Sequence, residues 1–350
     1  MKKYYTRACN FYYGDESIKK VKNKTSIPLN NNKFISFDTL EIITRDNKRK
    51  IHIKDINLEK KELKKKIKID LNLIKKNKNF KKLNFSNYPI LMGVINLTPD
   101  SFSDGGKYNK KNKGFDHAKY LIKKGCKIID IGGESTRPGS KEVKKKIEWK
   151  RISKTLKKIK KSNNFISLDT RKSWIMEKGI NYKVNLINDV SGLNYDSNTI
   201  NVLKKTNIPF VIHHIQGTPQ TMQKNPKYKN VLLDIYDFFE RKINEIRAKG
   251  IKHNNIILDP GIGFGKNLKH NIILIRNISL FHSLGFPIML GLSRKKFIKD
   301  LSGNNDSKER LGGTISSGLY AMMQGVQIMR VHNINEVNQS IKIFKTLNFK

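Results

Sequence analysis

The stretch NIILDPGIGFGKN, Asn255 to Asn267, passes from an apolar run into a loop with three glycines and a lysine. It has the composition of a phosphate-binding loop. A P-loop, however, requires glycine where Pro260 stands and a hydroxyl residue where Asn267 stands. A dinucleotide-binding fingerprint requires G-x-G-x-x-G, whereas every second residue is glycine here. The stretch therefore predicts a strand that ends at Asp259 in a tight turn.

Similar apolar runs recur from about Tyr88 to the C-terminus. They are near-continuous rather than alternating, which is typical of parallel strands buried on both faces. Together with the run in the stretch quoted above, there are eight such runs: ILMGVIN (90–96), KIIDIGG (127–133), FISLDT (165–170), VNLINDV (184–190), PFVIHH (209–214), NIILDPG (255–261), PIMLGLS (287–293) and VQIMRVH (326–332).

Helical patterns separate these runs. Apolar residues recur at helical spacing from Trp149 to Ile159, and HNIILIRNISLFHSLG ends on Gly285, as helices often do. Eight strand–helix units over residues 88–350 predict an α/β protein with a (β/α)8 TIM barrel, for which about 250 residues is typical. A doubly wound sheet is the alternative, and the missing Rossmann glycine signature disfavours it.

Residues 1–87 lack this alternation of apolar runs and helical patterns, and we interpret them as a small, basic N-terminal accessory segment. LEIITRDNKRKIHIKD (40–55) indicates a hairpin across a polar turn. The Lys-rich stretch from residue 57 to residue 79 indicates a helix. No cluster of chemically active side chains is evident, so we interpret the segment as a basic surface or linker.

The chain is strongly basic, with 71 Lys and Arg against 29 Asp and Glu and a formal net charge of +42. Residues 1–87 carry 24 basic and 9 acidic side chains, and residues 88–350 carry 47 and 20. Because the excess is spread along the chain and no basic-aromatic binding module accompanies it, we expect no specific nucleic-acid partner.

Only Cys9 and Cys126 occur, too few for a disulfide framework or a zinc cluster. The N-terminus has a basic start without an apolar signal region, and no run approaches the ~20 apolar residues that span a bilayer. We therefore expect a cytoplasmic protein without a membrane partner.

In barrel enzymes the active site lies at the carboxyl ends of the strands. Nearly all of the eight runs end in polar residues, and cations and histidines such as Lys295 and His214 exceed what turn formation requires. Together they predict a site for a polar, anionic small molecule. The strand-end residues are Asn96, Asp130, Asp169, Asn188, His213 and His214, Asp259, Ser293 to Lys296, and Arg330 to His332.

The loops after the first two strands, NLTPDSFSDGGKY (96–108) and GGESTRPGSKEV (132–143), are long, polar and glycine-rich. Such loops often close over an active site and exclude water. We expect them to cover a reactive intermediate.

The region from about Pro89 to the C-terminus resembles the dihydropteroate synthase family. The resemblance rests on eight motifs in order at the strand ends: GVINLTPDSFSDGG, IIDIGGESTRPGS, SLDT, LINDVSG, QGTPQTMQ, DPGIGFGKN, GLSRK and RVHN. It implies a transferase of folate biosynthesis that joins 4-aminobenzoate to 6-hydroxymethyl-7,8-dihydropterin diphosphate. It also implies Mg²⁺ as cofactor, a homodimer and inhibition by sulfonamides.

The resemblance also implies roles for individual residues. Asp169, Asp259, Lys295, Arg330 and His332 would be catalytic. The pterin would be bound by Asp169, Asn188, Asp259 and Lys295, and the diphosphate by Asn96, Thr136, Arg137, Arg330 and His332, with Asn96 holding Mg²⁺. The 4-aminobenzoate would be bound by Phe102, Pro138, Phe264, Lys295 and Lys296, with Thr98, Asp100 and Asp104 in the closing loops.

Four positions depart from the family pattern. Lys296 stands where a serine is common, so a lysine would have to meet the aminobenzoate carboxylate. His213 and Ile215 stand where methionines are frequent, which would change the packing under the pterin. Asn333 stands where an aspartate is usual.

Two other functions are compatible with parts of the pattern. Methyltetrahydrofolate-binding domains of corrinoid methyltransferases share the pterin-binding barrel, but TPDSFSDGG and ESTRPG favour the synthase. A non-catalytic protein that binds nucleic acid or another anionic surface is the second alternative, and steep salt dependence without turnover would identify it.

Overall fold

The structure is a computed structural model that describes residues 3–80, 83–98, 113–160 and 164–349. Within its first stretch, four antiparallel strands form a sheet in which the long central strand pairs with the other three. The elements are β1 (Tyr5–Tyr13), α1 (Gly14–Lys22), β2 (Ile27–Leu29), β3 (Asn32–Ile43), β4 (Lys48–His52), a 3₁₀ helix (Ile53–Leu58) and α2 (Lys61–Lys75).

The β3–β4 hairpin turns through Thr44 and Asn47. The Thr44 amide donates to the Asn47 carbonyl over 2.8 Å, and the Thr44 hydroxyl accepts from the Asn47 amide over 3.1 Å. The turn and β4 lie within residues 40–55 and α2 lies within residues 57–79, where the sequence indicates them. The first strand of the hairpin is longer than indicated, because β3 begins at Asn32. The strands β1 and β2 and helix α1 have no counterpart in the sequence analysis.

The eight strands that follow are parallel and confirm the predicted barrel. Neighbouring strands pair in the order β10, β9, β8, β7, β6, β5, β12, β11. The barrel closes where the Leu258 amide donates to the Pro287 carbonyl over 2.9 Å and Leu258 bridges Ile288. The strands are β5 (Ile90–Asn96), β6 (Ile128–Gly132), β7 (Phe165–Asp169), β8 (Leu186–Asp189), β9 (Phe210–His213), β10 (Ile256–Asp259), β11 (Met289–Leu290) and β12 (Ile328–Val331).

Helices alternate with the strands on the outside of the barrel. They are α3 (Lys113–Lys123), α4 (Lys145–Ile159), α5 (Ser173–Asn181), α6 (Thr199–Thr206), α7 (Val231–Ala248), α8 (Leu268–Arg276), α9 (Lys296–Ser302), α10 (Leu311–Met323) and α11 (Ile334–Asn348). Three further 3₁₀ helices are Phe85–Asn87, Ile278–Leu284 and Ser307–Glu309. No helix within the described ranges is long and apolar enough to cross a membrane.

The strands are buried on both faces because their residues are apolar at consecutive positions. All residues of β6, β7, β9 and β10 are buried. At the amino-terminal end of the barrel, Leu83 and Phe85 pack with first-layer residues such as Ile90 and Ile128. This apolar plug leaves the polar residues at the opposite, carboxyl end.

The N-terminal sheet packs against α7 and the 3₁₀ helix that follows α8. The ring of Tyr5 meets the ring of Tyr236 edge-on, with centroids 5.1 Å apart, and the Tyr5 hydroxyl donates to Asp237. The Ser279 hydroxyl donates to the Ala8 carbonyl over 2.9 Å. Residues of this sheet and of the barrel belong to one apolar core. The N-terminal segment is therefore packed onto the barrel and does not form an extended linker.

Lys78, between α2 and the barrel, is buried at the same contact. Its ammonium donates to the His282 carbonyl over 3.4 Å, and the His282 ring bonds the Gln324 carbonyl over 2.8 Å. Burial lowers the pKa of Lys78 to about 7 and holds the pKa of His282 well below its usual value. The charged form of Lys78 therefore costs stability in the folded protein.

We expect Lys78→Met to raise the free energy of unfolding at pH 7 by on the order of 2 kcal/mol. Between the folded pKa of about 7 and the unfolded value of 10.5, the unfolded chain binds a proton that the folded chain lacks. The parent therefore gains stability as pH rises through this window, and the advantage of the variant shrinks. Urea unfolding at several pH values measures the free energy of unfolding of the parent and of Lys78→Met. The exposed Lys68→Met is the control. An advantage that does not change with pH would contradict this assignment.

Candidate active site

The carboxyl ends of the strands surround an inner cavity that opens to solvent. Apolar side chains on one part of the wall and polar groups at the edges suit a flat, polar heterocycle. The lining residues are Thr136, Asn188, Val190, His213, Asp259, Ile262, Phe264, Gly291, Lys295 and Arg330.

Arg330 of β12 connects three strands at this end of the barrel. Its Nε donates to Asp130 of β6 over 2.7 Å, and its Nη2 donates to Asp169 of β7 over 2.8 Å. Burial opposes the charge of Arg330, but the carboxylates raise its pKa. Burial also raises the pKa of Asp169 to about 8, although Arg330 acts against it. Two carboxyl groups share one guanidinium, so the protonation of Asp169 depends on Asp130 as well as on Arg330.

Asp130 also orients Asn188. The Asn188 Nδ2 donates to the fully buried Asp130 carboxylate over 3.2 Å. The amide oxygen of Asn188, Oδ1 of Asp130 and Oδ2 of Asp189 then have no hydrogen-bond partner among the described residues. Buried acceptors without donors are costly, and Asn188 lines the cavity, so its amide oxygen favours a ligand that supplies an N–H group.

Sequence analysis placed Asp130 among the strand-end residues of the site but assigned it no role in binding or catalysis. The signal was present, because a carboxylate at the centre of the apolar run IIDIG must find a partner when the strand is buried. That its partners are Arg330 and Asn188 depends on the closure of the barrel.

Asp259 ends β10, and the glycine turn that follows holds it in place. Its Oδ1 accepts the Gly261 amide over 2.8 Å. Gly261 has φ +68°, and a Cβ there would lie 2.0 Å from the His214 carbonyl oxygen, so glycine is required. Burial raises the pKa of Asp259 to about 6, although the Gly261 amide and Lys295 lower it. The turn directs a carboxylate into the cavity, and the amides of Gly261 and Gly263 donate to Asp259 and Asn271.

Lys295 faces Asp259 from the loop after β11. Its ammonium lies 4.1 Å from the centroid of the Phe264 ring, within range of a cation–π interaction. Burial lowers the pKa of Lys295 to about 8, and Asp259 opposes this shift. A cation and a carboxylate therefore border the same cavity, with Phe264 beside them.

His213 lines the inner cavity, and Lys266 lies in the neighbouring loop after β10. The Nδ1 of His213 lies 3.0 Å from the Val190 carbonyl and must carry the proton, and the ring meets Phe264 edge-on at 4.5 Å. Burial holds its pKa well below the usual value, so no ion pair forms with Asp259 at 4.0 Å. Lys266 points into the loop, where it bonds the His214 Nδ1 over 3.0 Å and the Phe264 carbonyl over 2.8 Å.

A wider outer cleft continues from the inner cavity. Basic side chains dominate its wall, which suits an anionic ligand. His332 lies here, and burial with nearby cations holds its pKa well below the usual value. Its Nδ1 lies 3.1 Å from the Ser293 hydroxyl, and when this hydroxyl donates to Nδ1 the neutral ring presents Nε2–H as a donor. The Lys, Arg and Asp side chains of the cleft are Arg137, Arg294, Lys295, Lys296, Asp306, Lys308, Arg310 and Arg330.

The described residues with predicted roles gather around these two connected spaces. Asn188 and Asp259 line the inner cavity, and Arg330, Lys295, Phe264 and Thr136 line both. Asp169 reaches the site through its bond to Arg330. The outer cleft is lined by Asn96, Thr98, Arg137, Pro138, Lys296 and His332. Asp100, Phe102 and Asp104 lie outside the described residues.

Two of the departures from the family pattern have a defined place. The Asn333 side-chain oxygen accepts from the Arg294 Nε over 3.0 Å and from its Nη2 over 2.8 Å, so an amide replaces a carboxylate as the partner of this arginine. Lys296 is the first residue of α9 and borders the outer cleft.

The described residues contain no group of three or more His, Cys, Asp or Glu side chains placed to hold a metal ion. Asn96, at the end of β5, offers one amide oxygen to the outer cleft. Magnesium can be held by few protein ligands when substrate phosphates and water supply the others. The residues present fit that kind of site and do not form an all-protein cage.

Comparison with known proteins decides the family. The model of the pterin binding enzyme family matches residues 92–332. A dihydropteroate synthase of Neisseria meningitidis serogroup B is 40% identical over 264 residues, 74% of this chain and 93% of that protein. The chain belongs to the dihydropteroate synthase family. It is accordingly an enzyme, a transferase. The Escherichia coli K12 dihydropteroate synthase is 37% identical over 257 residues, 73% of this chain and 90% of its own.

Solved dihydropteroate synthases have the same fold. A Yersinia pestis enzyme in complex with a sulfonamide drug superposes with a TM-score of 0.73 at 36% identity, covering 77% of this chain and 98% of its own. A Thermus thermophilus enzyme in complex with 4-aminobenzoate gives a TM-score of 0.68 at 32% identity, covering 76% and 96%. The family match begins at residue 92, so the N-terminal sheet lies outside it.

We expect Asp130→Asn to weaken pterin binding by roughly tenfold to a hundredfold, because Arg330 and Asn188 lose their shared charged acceptor. Calorimetric titration with a pterin measures the affinity, and circular dichroism checks the fold. Asp116→Asn, on the exposed side of α3, is the matched control. A pterin affinity equal to that of the parent would show that Asp130 does not organise the site.

Proposed function

We infer that this chain condenses 4-aminobenzoate with 6-hydroxymethyl-7,8-dihydropterin diphosphate and releases 7,8-dihydropteroate and pyrophosphate. The observation that carries this conclusion is the inner cavity, where Asp259, Asn188 and Lys295 meet, opening into a basic outer cleft. Two related structures support it, because a Clostridium difficile dihydropteroate synthase was solved in the presence of pteroic acid and the Thermus thermophilus enzyme in complex with 4-aminobenzoate. These relatives favour the synthase over a corrinoid methyltransferase domain.

The inner cavity would hold the pterin by its hydrogen-bonding edge. The Asp259 Oδ1 is occupied by the Gly261 amide, which leaves Oδ2 for N–H groups of the ligand. The amide oxygen of Asn188 is a second acceptor without a partner in the described structure. Lys295 would donate to a ring nitrogen or oxygen on the same side. A pterin offers alternating donors and acceptors and so matches this mixed set.

The outer cleft would hold the diphosphate. Arg330, Arg137 and Thr136 would bind its oxygens, and the neutral His332 would donate from Nε2. Asn96 would hold Mg²⁺ by its amide oxygen, with phosphate and water oxygens completing the coordination. When bound, the ion would offset the charge of the diphosphate leaving group.

The reaction would proceed by dissociation at the exocyclic carbon of the pterin. The carbon–oxygen bond breaks and its electron pair leaves with pyrophosphate, while Asp169 and Asp259 offset the positive charge on the pterin. The amine of 4-aminobenzoate would then form the carbon–nitrogen bond and lose a proton to water. The chain supplies orientation and charge, and no covalent bond to the protein is needed.

The 4-aminobenzoate would bind where the outer cleft meets the inner cavity. Phe264 and Pro138 would contact its ring, and Lys295 would lie beside its amine. Lys296 would pair with its carboxylate, replacing the hydroxyl contact expected of a serine. Phe102 would belong to the same pocket. Sulfonamides, which mimic this substrate, would compete with it.

We also propose that the enzyme works as a homodimer in the cytoplasm. The 13-residue helix α10 contains no charged residue, although 29% of the chain is charged. Tyr320 on this helix is 45% exposed, and Leu319 is only partly buried. An uncharged, partly apolar helix face suits a contact with a second copy. Cys9 and Cys126 are buried free thiols, in keeping with a reducing compartment.

We expect the purified protein to form 7,8-dihydropteroate from the two substrates with Mg²⁺ present and to stop when the metal is chelated. Asp259→Asn should lower kcat/KM by roughly a hundredfold, because a charge-assisted bond to the pterin is lost. Chromatography of the product measures both results. Asp46→Asn, in the exposed β3–β4 turn, is the control. Folded parent protein that makes no dihydropteroate, or Asp259→Asn with parental turnover, would refute the proposal.

A further inference from the structure

The loop between β6 and α4, residues 133–144, is closed on itself by Glu134. The Glu134 carboxylate, near the start of the loop, accepts the amide of Val143, near its end, over 2.8 Å. Within the loop, the Ser140 hydroxyl donates to the Ser135 carbonyl over 2.7 Å. These bonds shape the loop but do not determine where it lies relative to the cavity.

Arg171 and Lys172, after β7, fix the root of the loop. The Arg171 Nε donates to Glu134 over 2.9 Å and its Nη2 over 3.3 Å, while the Lys172 ammonium lies 2.9 Å from the same carboxylate. All three side chains are buried. Burial opposes the charge of Glu134, but these partners lower its pKa, so the carboxylate remains ionised.

Arg171 also reaches the far end of the loop through Tyr195. The guanidinium carbon lies 4.0 Å from the centroid of the Tyr195 ring, which is stacking distance. The Tyr195 hydroxyl donates to Glu142 in a short hydrogen bond, and the Arg171 Nη2 lies 4.0 Å from the Glu142 carboxylate. Arg171 thereby links the loops after β6, β7 and β8.

The tip of the loop borders the site. The Gly139 amide donates to the Pro219 carbonyl, in the loop after β9, over 2.9 Å. Thr136 lines both the inner cavity and the outer cleft, and Arg137 and Pro138 line the outer cleft. Any change in the position of the loop therefore changes the wall on which both substrates would meet.

We propose that Arg171 and Tyr195 are positioning residues that hold the β6–α4 loop in its substrate-binding conformation before substrate arrives. Neither side chain lines the cavity or the cleft, so they act through Glu134 and Glu142. If the loop spends only a fraction of its time in the conformation that binds substrate, the apparent affinity for substrate falls by that fraction. The effect on catalysis rests on the proposed synthase function, whereas the effect on the loop does not.

The test compares Tyr195→Phe, Arg171→Met and Arg171→Lys with the parent protein. Tyr195→Phe removes the hydroxyl bond to Glu142 and keeps the ring under Arg171. We expect the KM for 4-aminobenzoate to rise about fivefold in Tyr195→Phe and about tenfold or more in Arg171→Met, with kcat within about twofold. Arg171→Lys keeps the charge beside Glu134 but loses the stacking, and it should lie between the parent and Arg171→Met.

Hydrogen exchange in peptides that span residues 134–144 provides a second readout, independent of activity. The amides of Gly139 and Val143 are bonded in the closed loop, so their exchange should accelerate in Tyr195→Phe and Arg171→Met. Tyr182→Phe, whose ring packs on Trp149 away from the loop, should match the parent in both measurements. Unchanged exchange together with unchanged KM in both Tyr195→Phe and Arg171→Met would overturn the proposal. An inactive parent protein would instead refute the synthase function. The exchange measurement would still show whether Arg171 and Tyr195 hold the loop in place.

Discussion

The site depends on one guanidinium that lies between two carboxyl groups. Arg330, Asp130 and Asp169 come from three strands, and their side chains meet only when the barrel closes. Buried charges need partners, so the three groups constrain one another more tightly than apolar packing would. Because Asp130 also takes the Asn188 amide, the same constraint turns an acceptor oxygen toward a ligand. Fold and pterin recognition are therefore joined at Asp130.

The glycines of DPGIGFGKN serve this geometry rather than a phosphate. Gly261 allows the chain to pass against the His214 carbonyl and to place its own amide on Asp259. Lys266 turns back into the loop and bonds His214 and Phe264. The loop thus positions one carboxylate and one aromatic ring, and the cations that suit a diphosphate lie across the mouth in the outer cleft.

Much of the architecture follows from local patterns. Eight apolar runs predict eight buried strands, and polar residues at their ends predict a site at the carboxyl end of the barrel. The strands β1 and β2 of the N-terminal sheet were not predicted, because contacts such as Tyr5 with Tyr236 join residues that are far apart in sequence. The strand β11 contains two residues where the apolar run PIMLGLS suggests more, since the chain leaves the sheet to place Lys295. The role of Asp130 was not predicted, because it depends on the register between strands.

The most direct test of this account is a double-mutant cycle on Arg330 and Asp130, followed by urea unfolding. Arg330→Met alone leaves two buried carboxyl groups without their cation and should cost about 3–5 kcal/mol. Adding Asp130→Asn should restore part of this loss, with a coupling energy above about 1 kcal/mol. If the two substitutions are additive within about 0.5 kcal/mol, the ion pair does not organise the barrel mouth, and the central claim fails.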